Sequence, residues 1–108
     1  MSYHKRVKDW LVRITLGNES VPKGLFELSE YFRLNGPINF EYHKENGETV
    51  AVSTNFRCGG IVTSGNTPKE LDKNIRDAIL TTFEVPSSYE KEASIVQVGK
   101  ESKQYALA

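Results

Sequence analysis

A single cysteine, Cys58, in 108 residues leaves no internal disulfide to form and no second thiol for a thiolate metal cage. No apolar run approaches the roughly 20 residues of a membrane-spanning helix or the h-region of a signal peptide. An excess of one charge is also missing. The 14 Lys+Arg balance 14 Asp+Glu, so no net cationic field draws the chain to nucleic acid or an anionic membrane, and near-neutrality permits self-association. His4 and His43 are the two histidines, too few for a metal site without acidic help. No repeat, low-complexity tract or interdomain linker interrupts the chain. With 38% hydrophobic and 26% charged residues, one soluble domain over residues 1–108 is expected, intracellular and cytoplasmic by default, with no cofactor and no metal site.

The most informative stretch present is Gly59-Gly60-Ile61-Val62-Thr63-Ser64-Gly65-Asn66-Thr67-Pro68-Lys69-Glu70-Leu71. A short apolar strand ends in a glycine turn and enters a helix. Thr67 suits the N-cap, Pro68 the first helical position where its missing N–H costs nothing, and Glu70 the third, from which it can reach back to the Thr67 amide. The spacing predicts a helix from Pro68 to Glu84. Leu71, Ile75, Ala78, Ile79, Thr82 and Phe83 form its apolar stripe, and Lys69, Asp72, Lys73, Arg76 and Asp77 its wet side.

Upstream, the first segment reads two ways: Val7, Trp10, Leu11 and Ile14 have helical spacing, and Trp10, Val12, Ile14 and Leu16 alternate as in a strand. A helix is predicted from near Ser20 and Pro22, with Leu25, Leu28 and Phe32 on one side and Phe26 and Tyr31 beside them, stopped by Asn35-Gly36-Pro37. The period then changes to two. Ile38, Phe40 and Tyr42 belong to one strand of a hairpin and Val50 and Val52 to the other. Putting all five on one face requires a three-residue loop, Glu45-Asn46-Gly47, with Gly47 in the left-handed bulge position. A third strand is predicted over roughly Arg57 to Ser64, a polar connection over Ser87 to Glu92, and a last strand over Ser94 to Lys100. Beyond it Tyr105 and Leu107 could tie down the tail. The fold class is therefore α+β: a three- or four-stranded antiparallel-rich sheet packed by one main helix in β-β-β-α-β order over residues 38–100, with residues 1–37 a helical or mixed N-terminal extension.

From Ile38 to about Phe83, the motifs Glu45-Asn46-Gly47, Gly60-Ile61-Val62-Thr63, Gly65-Asn66-Thr67, Glu70 and Asn74 through Ala78-Ile79 resemble the HicB family of antitoxins. The family's Pro-Asp-Leu-Pro-Gly-Cys run stands here as Asn55-Phe56-Arg57-Cys58-Gly59-Gly60, and its turn Asp is Asn66. The resemblance implies a partial ribonuclease-H-like fold that binds and masks a HicA-type toxin, a small RNA-cleaving protein with a double-stranded-RNA-binding fold. Family members often carry a DNA-binding segment after this domain. The residues after Pro86 are too few and too strand-like to supply one, and Lys5, Arg6, Lys8 and Arg13 are expected to form a solvated face, so direct DNA binding is not expected.

Masking needs shape and contact, without a catalytic group. His43, Phe56 and Arg57 are the candidate contact residues. Packing explains Phe56 and Tyr42 better, whereas His43 and Arg57 divide evenly. A free strand edge gives the chain reason to form a homo-oligomer. The enzymatic rival is a metal-dependent nuclease, since ribonuclease-H folds hold two metals with clustered carboxylates. Glu41 is the one acid inside a predicted strand. Glu45 and Glu48 flank a turn, Glu70 is occupied by the cap, and Asp72 and Asp77 lie on the wet helix side, so no enzyme is expected. Cys58 with His43 lacks a third orienting group, and a small buried hydrophobe is the simpler reading of Cys58. The glycines lack phosphate-loop spacing, and the aromatics form no stacking platform.

Overall fold

The computed structural model describes residues 20–99 and 103–108; the expectations for residues 3–16, including the four cations, lie outside them. The elements are α1 (Ser20–Asn35), β1 (Ile38–Glu45), β2 (Glu48–Ser53), β3 (Val62–Gly65), α2 (Pro68–Thr82), a 3-10 turn (Ser87–Tyr89), α3 (Glu90–Ala93), β4 (Ile95–Val98) and β5 (Gln104–Leu107). The fold is α+β: one curled antiparallel sheet in the order β3-β2-β1-β5-β4, with α2 as the main helix packed on it. Among the described residues no helix is long and apolar enough to cross a membrane.

α2 begins as its sequence dictates. The Glu70 amide donates to Thr67 Oγ1 at 3.0 Å, and Pro68 fills the first turn. The Glu70 carboxylate accepts from the Asn66 amide at 2.6 Å, one residue further out than the Thr67 amide expected for it, and still satisfies a donor beyond the helix end. The buried stripe is Leu71, Ile75, Ile79 and Leu80, each stabilising the fold by about 1.5–3 kcal/mol when fully covered. Thr82 is exposed, which corrects its place in the expected stripe. The helix stops at Thr82 instead of Glu84 because Glu84 takes φ 61°, and the amides of Phe83 and Val85 both turn back to Leu80 O.

α1 follows the predicted span, with Gly36 (φ 77°) closing it through its amide on Phe32 O at 2.9 Å. Val21, Leu28, Tyr31 and Phe32 are buried, and Leu28, Tyr31 and Phe32 join the same core as Ile38, Phe40, Ile75 and Tyr105. The boundary expected at residue 37 therefore separates nothing within the core. Gly24 lets α1 lie against the end of α2, since a Cβ there would stand 2.5 Å from Phe83 O.

The hairpin corrects the sequence reading. Glu45 pairs with Glu48, Tyr42 with Ala51 and Phe40 with Ser53, so the loop is the two residues Asn46-Gly47 and carries no bulge. Both take left-handed φ, 50° and 82°, the pair of values of a type I′ turn, whose twist matches that of the flanking strands. The sheet's covered face takes small residues from β2, with Ala51 fully buried between half-buried Thr49 and Ser53. Val50 and Val52 go to the other face.

The last strand is shorter than expected, Ile95–Val98, and the expected polar connection folds into the 3-10 turn and α3. β5 adds a fifth strand between β1 and β4. Tyr105 anchors it, with 0% of its surface exposed and its ring edge-on to Phe40 at 5.8 Å.

Candidate functional site

Alternation along each strand sorts the sheet into two faces. The face toward the helices carries Ile38, Phe40, Ala51, Ile61, Ile95 and Tyr105, all buried. On the face away from them, pairing sets Glu41 beside Val52 and Val62, His43 beside Val50 and Ser64, and Glu45 opposite Glu48. Val62 is 64% exposed. Three valines thus form an apolar stripe flanked by three glutamates and one histidine.

His43 stands on that face toward the hairpin turn. Phe56 and Arg57 lie beyond the opposite end of β2, so the structure joins these two and separates His43 from them by several residues of strand, each of about 3.3 Å. Asn55 ties the loop down: its Oδ1 accepts from the Asn39 amide at 2.7 Å and its Nδ2 donates to Pro37 O at 3.0 Å. Phe56 packs half-buried on Tyr31 and Phe83, with ring centroids 4.9 and 6.1 Å away, which is the packing role. The Arg57 amide donates to the Tyr31 hydroxyl at 3.1 Å and its side chain is exposed. The Ser53 amide donates to Ile61 O, and the Ile61 amide to Ser53 Oγ, both at 2.9 Å, closing the loop's base.

The expected third strand therefore starts late: from Arg57 to Gly60 the chain is exposed loop, because these ties bend it away from β2. Cys58 is exposed there, contrary to its reading as a small buried hydrophobe. Gly59 takes φ 128°, a backbone that side chains rarely adopt, and is the glycine this turn requires; Gly60 has no such φ, and a Cβ there would meet nothing within 4 Å. Gly65 is needed for space, with a Cβ there 2.6 Å from Leu71 N. Gly47 serves the hairpin turn, and Thr67, Pro68 and Glu70 serve the helix start.

Among the described residues the carboxylates do not gather into one cluster. Glu41 and Glu45 face outward on β1, Glu70 is held by the Asn66 amide, and Asp77 pairs with Lys73 at 3.1 Å. Asp72 and Arg76, expected on the wet side of α2, are drawn inward, with side chains 27% and 23% exposed. The Tyr105 hydroxyl donates to Asp72 Oδ1 at 2.8 Å and accepts from Gln97 Nε2 at 2.8 Å. Arg76 Nε donates to both Asp72 oxygens at 3.1 Å, and one terminal guanidinium nitrogen donates to Ile95 O at 2.8 Å and lies 3.6 Å from Glu90. Burial, then the Asp72 hydrogen bond and charge, push the Tyr105 hydroxyl well above the usual tyrosine range. Burial likewise raises Tyr42. This network fastens β4 and β5 to α2, and its acid is fully engaged. Sequence reasoning missed it, although Asp72 and Arg76 at i, i+4 were an available signal.

Among the described residues no three His, Cys, Asp or Glu side chains stand close enough to hold a metal ion. Compared with protein-family models, curated proteins and solved structures, the chain matches none.

Proposed function

We propose that this chain is a HicB-like interaction protein of the cytoplasm, an antitoxin or a solitary relative, that binds and masks a small RNA-cleaving protein. What carries the reading is the outer sheet face, where Val50, Val52 and Val62 run beside Glu41, Glu45 and Glu48. A partner that handles RNA presents cations to the phosphates, and an apolar stripe edged with carboxylates complements such a surface while excluding water from it. The tied-down loop adds Arg57, a residue type that often anchors interfaces, on a backbone that loses little freedom on binding. His43 shares the face with the glutamates and belongs to the same contact.

The test is co-expression with a HicA-type toxin encoded beside it. Joint elution and restored growth are expected, and both should be lost in the Glu41→Lys, Val52→Lys double variant with its thermal melt unchanged. Separate elution with growth still arrested would remove the reading. Cleavage of RNA by the pure protein with Mg²⁺ or Mn²⁺, lost on Glu41→Gln, would replace it with a nuclease.

A further inference from the structure

We propose that two copies of this chain pair through the edge of β3, which no described strand covers, antiparallel about a two-fold axis at Thr63, joining two five-stranded sheets into one. The register follows from hydrogen-bond direction. The Ser53 amide bonds Ile61 O, and partners in an antiparallel ladder alternate between bonded and non-bonded pairs. Thr63 and Gly65 therefore direct their backbone groups toward Ala51 and Thr49, while Val62 and Ser64 direct theirs away from the sheet. Among the described residues the outward amides of Val62 and Ser64 and the outward carbonyl of Val62 have no partner. The Ser64 carbonyl accepts from Asn74 Nδ2 at 2.7 Å and keeps a second lone pair. Two outward residues flanking one inward residue form a self-complementary set: Val62 bonds Ser64 of the second copy, and Ser64 bonds its Val62.

The opposite edge is defended. On β4 the outward carbonyl of Ile95 is covered by the Arg76 guanidinium, with Glu90 behind it, and charge at an edge deters strand addition. Among the described residues, the guard at β3 is the neutral carboxamide of Asn74. The strand Val62–Gly65 carries no charged residue and no proline, and it presents Val62 at 64% exposure. A second copy is favoured over a free peptide because its β3 is already ordered, whereas a peptide loses about 1–2 kcal/mol of backbone entropy per residue fixed. Pairing also sets each Val62 beside Ser64 of the other copy, with Val50 and Val52 next in line. The outer valine stripe then runs across both molecules.

Light scattering of the full chain over a concentration series should show a dimer. Ser64→Pro removes only an outward N–H, so the dimer's dissociation constant should rise about tenfold or more with the melt unchanged. Thr63 lies on the axis in a non-bonded pair with Cα atoms about 4.5 Å apart, within disulfide range. In a Cys58→Ser background, Thr63→Cys should therefore form a covalent dimer under mild oxidation, and Val96→Cys, its counterpart on β4, should not. A monomer at the highest attainable concentration, cross-linking at residue 96 in place of 63, or association untouched by Ser64→Pro would overturn the proposal. None of these outcomes depends on whether a toxin binds.

Discussion

Gly60 and Gly65 look alike in the sequence, five residues apart around one short strand, yet only one of them is constrained by its surroundings. A Cβ on Gly65 would lie 2.6 and 2.7 Å from the Leu71 backbone, and one on Gly60 would meet nothing within 4 Å. Urea unfolding should show Gly65→Ala losing about 1–3 kcal/mol and Gly60→Ala changing by about 0.5 kcal/mol or less. Tyr105 makes a different prediction. Its hydroxyl is held neutral in the fold, with its pKa raised by burial and by Asp72. The stability this adds is complete below the ordinary tyrosine value of about 10 and is lost as pH climbs from there toward the raised value. Urea midpoints should therefore fall above about pH 10, and fall less steeply in Tyr105→Phe. The roles of Thr67, Pro68 and Glu70 were legible because a helix start is a local matter. Those of Asp72 and Arg76 were not, because Tyr105 and Ile95, which draw them inward, lie 33 and 19 residues further along the chain.

At the scale of elements, α2 grips both borders of the sheet. Asn74 holds the Ser64 carbonyl on β3 and Arg76 the Ile95 carbonyl on β4. Two residues apart on a helix, their side chains project to opposite flanks of the buried stripe. The β4–β5 pair joins the rest of the sheet through Ile38–Tyr105 and Asn39–Gln104 and the bond from the Phe40 amide to Lys103 O, and Arg76 is the side chain that ties β4 itself to α2, beside the Tyr105–Asp72 bond on β5. In Arg76→Met, amide exchange at Val96 and Val98 should quicken about tenfold, with Ala51 and Thr63 unchanged. α1, α2 and the strand pair β1–β2 were legible from periodicity. The turn between those strands was not, because larger apolar side chains were assigned to the core. Alanine, serine and threonine face the helices from β2, and Asn46-Gly47 alone pointed to the right register.

For the whole molecule, the α+β class and the antiparallel sheet under one main helix were legible because hydrophobic period and turn chemistry agreed along most of the chain. The fifth strand was harder to read, since four residues give little alternation and what defines it is pairing with β1 and β4 and the burial of Tyr105. The outer face could not be seen until the register was known. That same register also sets Glu45 and Glu48 directly opposite one another beside the turn, and like charges so placed destabilise a ladder. Glu48→Lys should accordingly stabilise the isolated protein by about 0.2–1 kcal/mol, read as a higher melting temperature; on the proposed function it should also weaken binding of a basic partner. On the proposed function, the like charges that face each other across this hairpin are what a cationic partner would neutralise, so the pair that slightly weakens the protein alone is the pair that would make it receptive.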